Sequence, residues 1–234
     1  MKRHDAFVNA QKILSKVGQL NPSECDMQLF LASLVESDIP VFQRVQMTQK
    51  VAKQFRAILS RHIDTLGTMI EEEELTVYTK AGEWLNEHEF EALDLSEYDD
   101  VLKQIATLRE PSSIEVFNED QDFIDELRFY VLVLKCKNAD PIYFFRSYSS
   151  KKELGRSRMF GIILDKGHFD KFEDAMYLFD EHIDCFASGN LMFIKNKGNF
   201  QNIFQFYELL IETAKQTLSI IKKRCTAPRL ASGF

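Results

Sequence analysis

Apolar residues recur along this chain with two different rhythms. Phe7, Val8, Ile13, Leu14 and Val17 fall on one face at helical spacing, which predicts an amphipathic helix over residues 5–17. "NPS" (Asn21 to Ser23) breaks it. "MQLFLASL" (Met27 to Leu34) and "IPVFQRVQM" (Ile39 to Met47) then predict two strands. Thr48 is placed to cap a helix whose stripe is Val51, Phe55, Ile58, Leu59, Ile63 and Leu66, with Gly67 at its end. "LTVYT" and "FEALDL" predict two more strands, and "SEYDDVLKQIATL" a helix capped by Ser96. Pro111, in "REPSS", stops that helix and marks a boundary between an N-terminal lobe (1–110) and a strand-rich lobe (111–224).

The second lobe is dominated by short apolar runs. "LRFYVLVLKCK", a turn at Asn138, Asp140 and Pro141, and "IYFFRSY" predict a hairpin. "RMFGIILD" and "AMYLFD" predict further strands, and "IDCFASG" with "NLMFIKN" a second hairpin turning at Ser188 and Gly189. A long amphipathic helix is predicted from about Phe200 to Arg224, then a loose tail over 225–234. The fold class is α+β, with antiparallel hairpins packed against helices.

Composition sharpens this picture. The 234 residues are 45% hydrophobic and 28% charged, as in a soluble globular domain, and 20 phenylalanines can fill a large core. No run reaches the ~18 apolar residues of a membrane span, and the basic N-terminus lacks an apolar leader, so a cytoplasmic protein is expected. Cys25, Cys136, Cys185 and Cys225 are far apart and set in apolar or helical sequence. They read as small buried hydrophobes in a reducing compartment, not as a disulfide framework.

Charge is distributed unevenly. The formal net charge is −7, and Glu71 to Asp100 holds twelve acids against one cation, Lys80. Against that background "FRSYSSKKELGRSRMF" gathers Arg146, Lys151, Lys152, Arg156 and Arg158 beside one acid, Glu153. Lys195 and Lys197 join the candidates if the hairpin ends converge. Such cations attract phosphates by releasing counterions, without reading sequence. Nearby serines can donate to phosphate oxygens, and Tyr148 is placed to stack on an unpaired base. Asn196 to Asn199 reads either as an anion-binding helix start or as an ordinary cap.

Catalytic chemistry is poorly supported. His182 and Cys185 lack a second pair for a tetrahedral metal site, and there is no GxSxG or phosphate-loop motif. Asp165, Lys166, Asp180 and Asp184 can be cast as a metal-nuclease set, but their spacing fits no nuclease signature. No catalytic residue, metal ligand or cofactor is therefore expected.

The order of motifs in the second lobe, "FYVLVLK…IYFFRSYSSKKEL", "LDKGHFDKF", "LFDEHID" and "LMFIKNKGNFQNIFQF", resembles the KwaB family of the Kiwa anti-phage system over roughly Leu127 to Leu210. The N-terminal half matches only in general layout. Family members continue past the closing helix, so the resemblance implies a shortened member or a fragment. It further implies a non-enzymatic effector that binds invading DNA and blocks its replication or transcription. It also implies a homodimer attached to KwaA, a multi-span membrane protein, at the inner face of the plasma membrane. The acidic segment suits docking on a basic surface of such a partner. Two other readings stand beside this one: a protein-interaction adaptor that never touches nucleic acid, and a metal-dependent nuclease.

Overall fold

The computed structural model describes residues 3–34, 39–69, 75–78, 90–118, 127–137, 139–148, 162–165, 168–171, 179 and 181–205. Helix α1 (Arg3–Gly18) leads through a short 3-10 turn (Pro22–Glu24) into β1 (Asp26–Ser33) and β2 (Val41–Val45). Helix α2 (Gln49–Met69) and strands β3 (Leu75–Val77) and β4 (Phe90–Asp94) follow. Next come α3 (Asp99–Thr107), β5 (Leu127–Lys135) and β6 (Ile142–Ser147). A small antiparallel pair, β7 (Ile162–Asp165) and β8 (His168–Lys171), precedes β9 (Cys185–Ser188), β10 (Leu191–Ile194) and α4 (Lys197–Ile203).

Eight strands form one mixed sheet in the order β2-β1-β5-β6-β9-β10-β4-β3, in which only β3 and β4 run parallel. The fold is thus α+β. The β5–β6 and β9–β10 hairpins fall where the turn residues predict them. Gly189, at φ +62°, takes the left-handed conformation that the tight β9–β10 turn requires. The expected boundary near residue 111 is a 3-10 turn (Pro111–Ser113), beyond which Glu115 and Phe117 bond to Arg44 on β2. Strands from both sides of that point share the sheet.

The alternation of side chains puts a core on each face. Leu14 and Val17 of α1 and Phe55, Leu59, Ile63 and Leu66 of α2 pack on Leu29, Leu132, Phe144 and Phe193. On the other face Val101 and Ile105 of α3, Leu108 just past its end, and Phe200 and Ile203 of α4 pack on Phe30, Val131, Phe145 and Ile194. The central strands are buried on both faces, which explains their nearly unbroken apolar runs. Phe30, Phe129, Phe144, Phe145, Phe193 and Phe200 are less than 2% exposed. Burying each contributes about 1.5–3 kcal/mol. Phe186 and Phe193, directly opposite in register, stack at 4.8 Å.

Several expectations are corrected. Val51 faces solvent at 38% exposure, and α2 runs past Gly67 to Met69. Ser96 does not cap α3; Asp94 caps a preceding 3-10 turn (Leu95–Glu97), and α3 begins after Tyr98. Strand β8 was not expected. Cys25 and Cys136 form a disulfide, contrary to the reading of all four cysteines as isolated hydrophobes. The register explains it: Asp26 pairs with Lys135, so the two cysteines meet at the next position outward. Cys185 is free and buried, and burial pushes its thiol pKa well up, aided by the nearby Asp184 carboxylate. The helix expected from Phe200 is not continuous in the described residues, since α4 ends at Ile203 and Gln205 turns at φ 56°; the rest of that stretch, Cys225, and the "AMYLFD" strand apart from Phe179 lie outside them.

Candidate nucleic-acid interface

The end of β6 (Arg146, Ser147), the start of β9 and the end of β10 lie side by side, because Phe145 pairs with Cys185 and Cys185 with Ile194. Asp184, only 1% exposed, sits at their meeting point. Its Oδ1 accepts from Arg146 Nη1 at 2.5 Å and from Asn199 Nδ2 at 2.8 Å. Its Oδ2 accepts from the Ser147 backbone N–H at 2.7 Å. Its backbone carbonyl takes the N–H groups of Lys195 (2.9 Å) and Asn196 (2.8 Å), and its own N–H donates to Phe145 at 3.0 Å. One buried residue, through its carboxylate and its backbone, therefore ties β6, the β9 entry, the β10 exit and α4 together. A buried carboxylate is tolerated only when donors surround it in this way.

This geometry gives three of the candidate cations distinct fates. Arg146 points inward, its side chain 13% exposed and bound to Asp184. Lys197 is also turned inward. Its Nζ lies 3.3 Å from Glu91 and over the Tyr78 ring at 5.0 Å, and both charged side chains are under a tenth exposed. Of the two readings of the α4 start, internal pairing of Lys197 leaves the ordinary cap. Asn196 caps the helix by accepting from the Asn199 N–H at 2.9 Å. Lys195 is half-buried, makes no carboxylate contact among the described residues, and lies 6.0 Å from the centre of the Phe90 ring. Lys151, Lys152, Arg156 and Arg158 lie outside the described residues, within the segment between Tyr148 and β7.

Tyr148 is not available for stacking on a base. It is 8% exposed, its N–H donates to Arg128 at 2.6 Å, and its ring lies 6.3 Å from Phe179. It closes the core at the point where β6 gives way to the cation-rich segment.

Behind this rim, α2 brings His62 and Thr65 to a cleft also lined by Phe90, Phe144, Ile183 and Lys195. His62 Nε2 bonds the Glu181 carbonyl oxygen. Burial holds its pKa below the usual range, with neighbouring Lys195 and His182 adding to the effect. Arg61 pairs with Glu181 at 2.6 Å on the exposed side, and that hydrogen bond lowers the Glu181 pKa.

Of the suggested nuclease residues, Asp184 has both oxygens engaged, while Asp180 and Lys166 lie outside the described residues. Among the described residues no cluster of three His, Cys, Asp or Glu side chains is arranged to hold a metal. Of the acidic segment, Glu91 is buried, Glu97, Asp99 and Asp100 are exposed, and Glu71 to Glu74, Glu83, Glu87 and Glu89 lie outside the described residues.

Sequence reasoning missed the part played by Asp184 and Glu91. Both stand among apolar strand residues, "HIDCFA" and "FEALDL", and that setting is the one local signal that such a charge is buried and paired.

The fold and this edge define an α+β protein whose second half has the ends of β6, β9 and β10 and the start of α4 tied at one buried aspartate. Residues 124–225 match the family described as "Kiwa protein KwaB-like", so the chain carries a KwaB-like domain. The match points to a role in Kiwa anti-phage defence. No curated protein and no solved structure gives a significant match to the chain.

Proposed function

We propose that the chain is a non-enzymatic effector of anti-phage defence that binds DNA through its phosphates and so hinders replication or transcription. The observation that carries this reading is the convergence at the Asp184 rim. The segment bearing Lys151, Lys152, Arg156 and Arg158 follows Tyr148 at the end of β6, one strand across from the end of β10 that leads to Lys195. The working cations are these five. Arg146 and Lys197 act from inside, fixing the base of the rim. Charge reading of this kind is weakly selective for sequence.

Work with a multi-span membrane partner resembling KwaA, and as a homodimer, follows from the KwaB likeness. No helix among the described residues is long and apolar enough to cross a membrane, so attachment to a bilayer would come through that partner.

The test is a gel-shift titration of duplex DNA at several salt concentrations. Affinity should fall steeply with salt, and changing Lys151, Lys152, Arg156, Arg158 and Lys195 together to Glu should abolish the shift while leaving thermal unfolding intact. An unchanged shift refutes the site. Loss of supercoiled plasmid with magnesium or manganese would refute the non-enzymatic part.

A further inference from the structure

The Cys25–Cys136 bond joins residues 111 apart in sequence, at the open end of the β1–β5 pair. Cys25 precedes β1 in the N-terminal half, and Cys136 follows β5 in the KwaB-like domain. We propose that this pair is a reversible thiol–disulfide site, a covalent modification that fastens the N-terminal half to the KwaB-like domain in its oxidised form and releases that tie in its reduced form.

Three features favour reversibility over a permanent staple. The first is placement. Cys136 is partly exposed at the sheet end, so an attacking thiolate can reach its sulfur, whereas Cys25 is 6% exposed. The second is charge. Lys135 and Lys137 flank Cys136 in sequence, and Arg56 Nη2 donates to the Cys25 carbonyl at 3.4 Å. The acids nearby are Asp26, opposite Lys135, and Glu24, which accepts from Asn21 Nδ2 at 2.8 Å. Cationic groups thus stand on both sides of the bond, and cationic surroundings in general make a thiolate a better leaving group. The third is tolerance of the open state. Cys25 Sγ lies 3.3 Å from the Asn21 carbonyl oxygen, so a reduced Cys25 has an acceptor for its S–H without moving.

The exchange balances with a dithiol reductant. Its thiolate attacks Cys136 Sγ, the Sγ–Sγ bond breaks, and Cys25 leaves as a thiolate beside Arg56. The reductant's second thiol then displaces Cys136. Two electrons and two protons pass to the protein, and the reductant keeps the new disulfide.

The test uses the full chain in its native state. Protein is equilibrated with dithiothreitol or with oxidised glutathione, quenched with iodoacetamide, and mapped by mass spectrometry while circular dichroism follows the fold. Cys25 and Cys136 should become labelled together under dithiothreitol and protected together after oxidation, over repeated cycles with an unchanged spectrum. The oxidised form should melt about 5–10 °C higher. Cys136→Ser should erase that redox-dependent difference; should the variant fail to fold, the wild-type labelling and melting pair decides alone. The proposal is overturned if the native thiols never close under oxidised glutathione. It is equally overturned if the closed bond resists excess dithiothreitol until urea is added.

Discussion

The two ends of the sheet solve one problem with different physics. At one end, Cys25 and Cys136 join the N-terminal strand to the KwaB-like domain by a covalent bond. At the other, Asp184 gathers Arg146, Ser147 and Asn199 by charge and hydrogen bonding. A cross-link acts chiefly by restricting the unfolded chain, and its worth grows with the length of the loop it closes. A buried carboxylate acts only in the folded state, and only while every donor is present. The covalent end can therefore be opened without leaving an unsatisfied charge behind, whereas the ionic end cannot lose one member cheaply.

That contrast can be broken by mutation. The largest effect is expected from Asp184→Ala, which removes the buried carboxylate that accepts from Arg146, Ser147 and Asn199. The cost should be about 3–5 kcal/mol, read as a fall in the urea midpoint. Combined with Cys25→Ser, the two losses should add to within about 0.5 kcal/mol, because the sites sit at opposite ends of the strands. Coupling beyond that would mean the two ends are not independent.

The Lys197–Glu91 pair offers a finer comparison. Lys197→Ala takes the ammonium away from Glu91, 4% exposed, and should cost about 2–4 kcal/mol. The double change Lys197→Met with Glu91→Leu should recover most of that in the same urea assay, since it removes both charges and keeps the volume. Failure to recover would assign the pair a role beyond mutual neutralisation.

A smaller effect is expected with pH. The folded-state pKa of His62 is depressed by burial, so the unfolded chain takes up the proton first as pH falls. The stability this group contributes is complete above its unfolded pKa, about 6.5, and is lost as pH drops through the lower folded value. The difference in urea midpoint between wild type and His62→Gln should thus shrink on acidification. Smallest of all, Arg61→Ala should leave the midpoint unmoved at neutral pH, because its pair with Glu181 is more than half exposed.

Local chemistry carried much of the fold into view. The stripe of α2 and the turn residues Asn138, Asp140, Pro141 and Gly189 lie within a few residues of what they specify, so period and turn propensity suffice. Strand order does not follow from such signals. β1 pairs with β5 across some hundred residues, and β4 joins β10 from the other side. The disulfide was invisible for the same reason, since only the β1–β5 register brings its halves together. At the candidate site, sequence marked the run of cations but could not tell which pointed inward. Arg146 and Lys197 look like their neighbours on paper, and what distinguishes them is a carboxylate 38 residues away for one and 106 for the other.

The strand order has a consequence for how the second half could exist by itself. A piece cut at the limits of residues 124–225 would keep β5, β6, β9 and β10 but would lose the neighbours of both β5 and β10. Two rows of unpaired backbone amides and carbonyls would then face water, each a template for annealing to another chain. The first hundred or so residues therefore act as a pair of selvedges on a woven cloth, keeping the central strands from fraying into their neighbours.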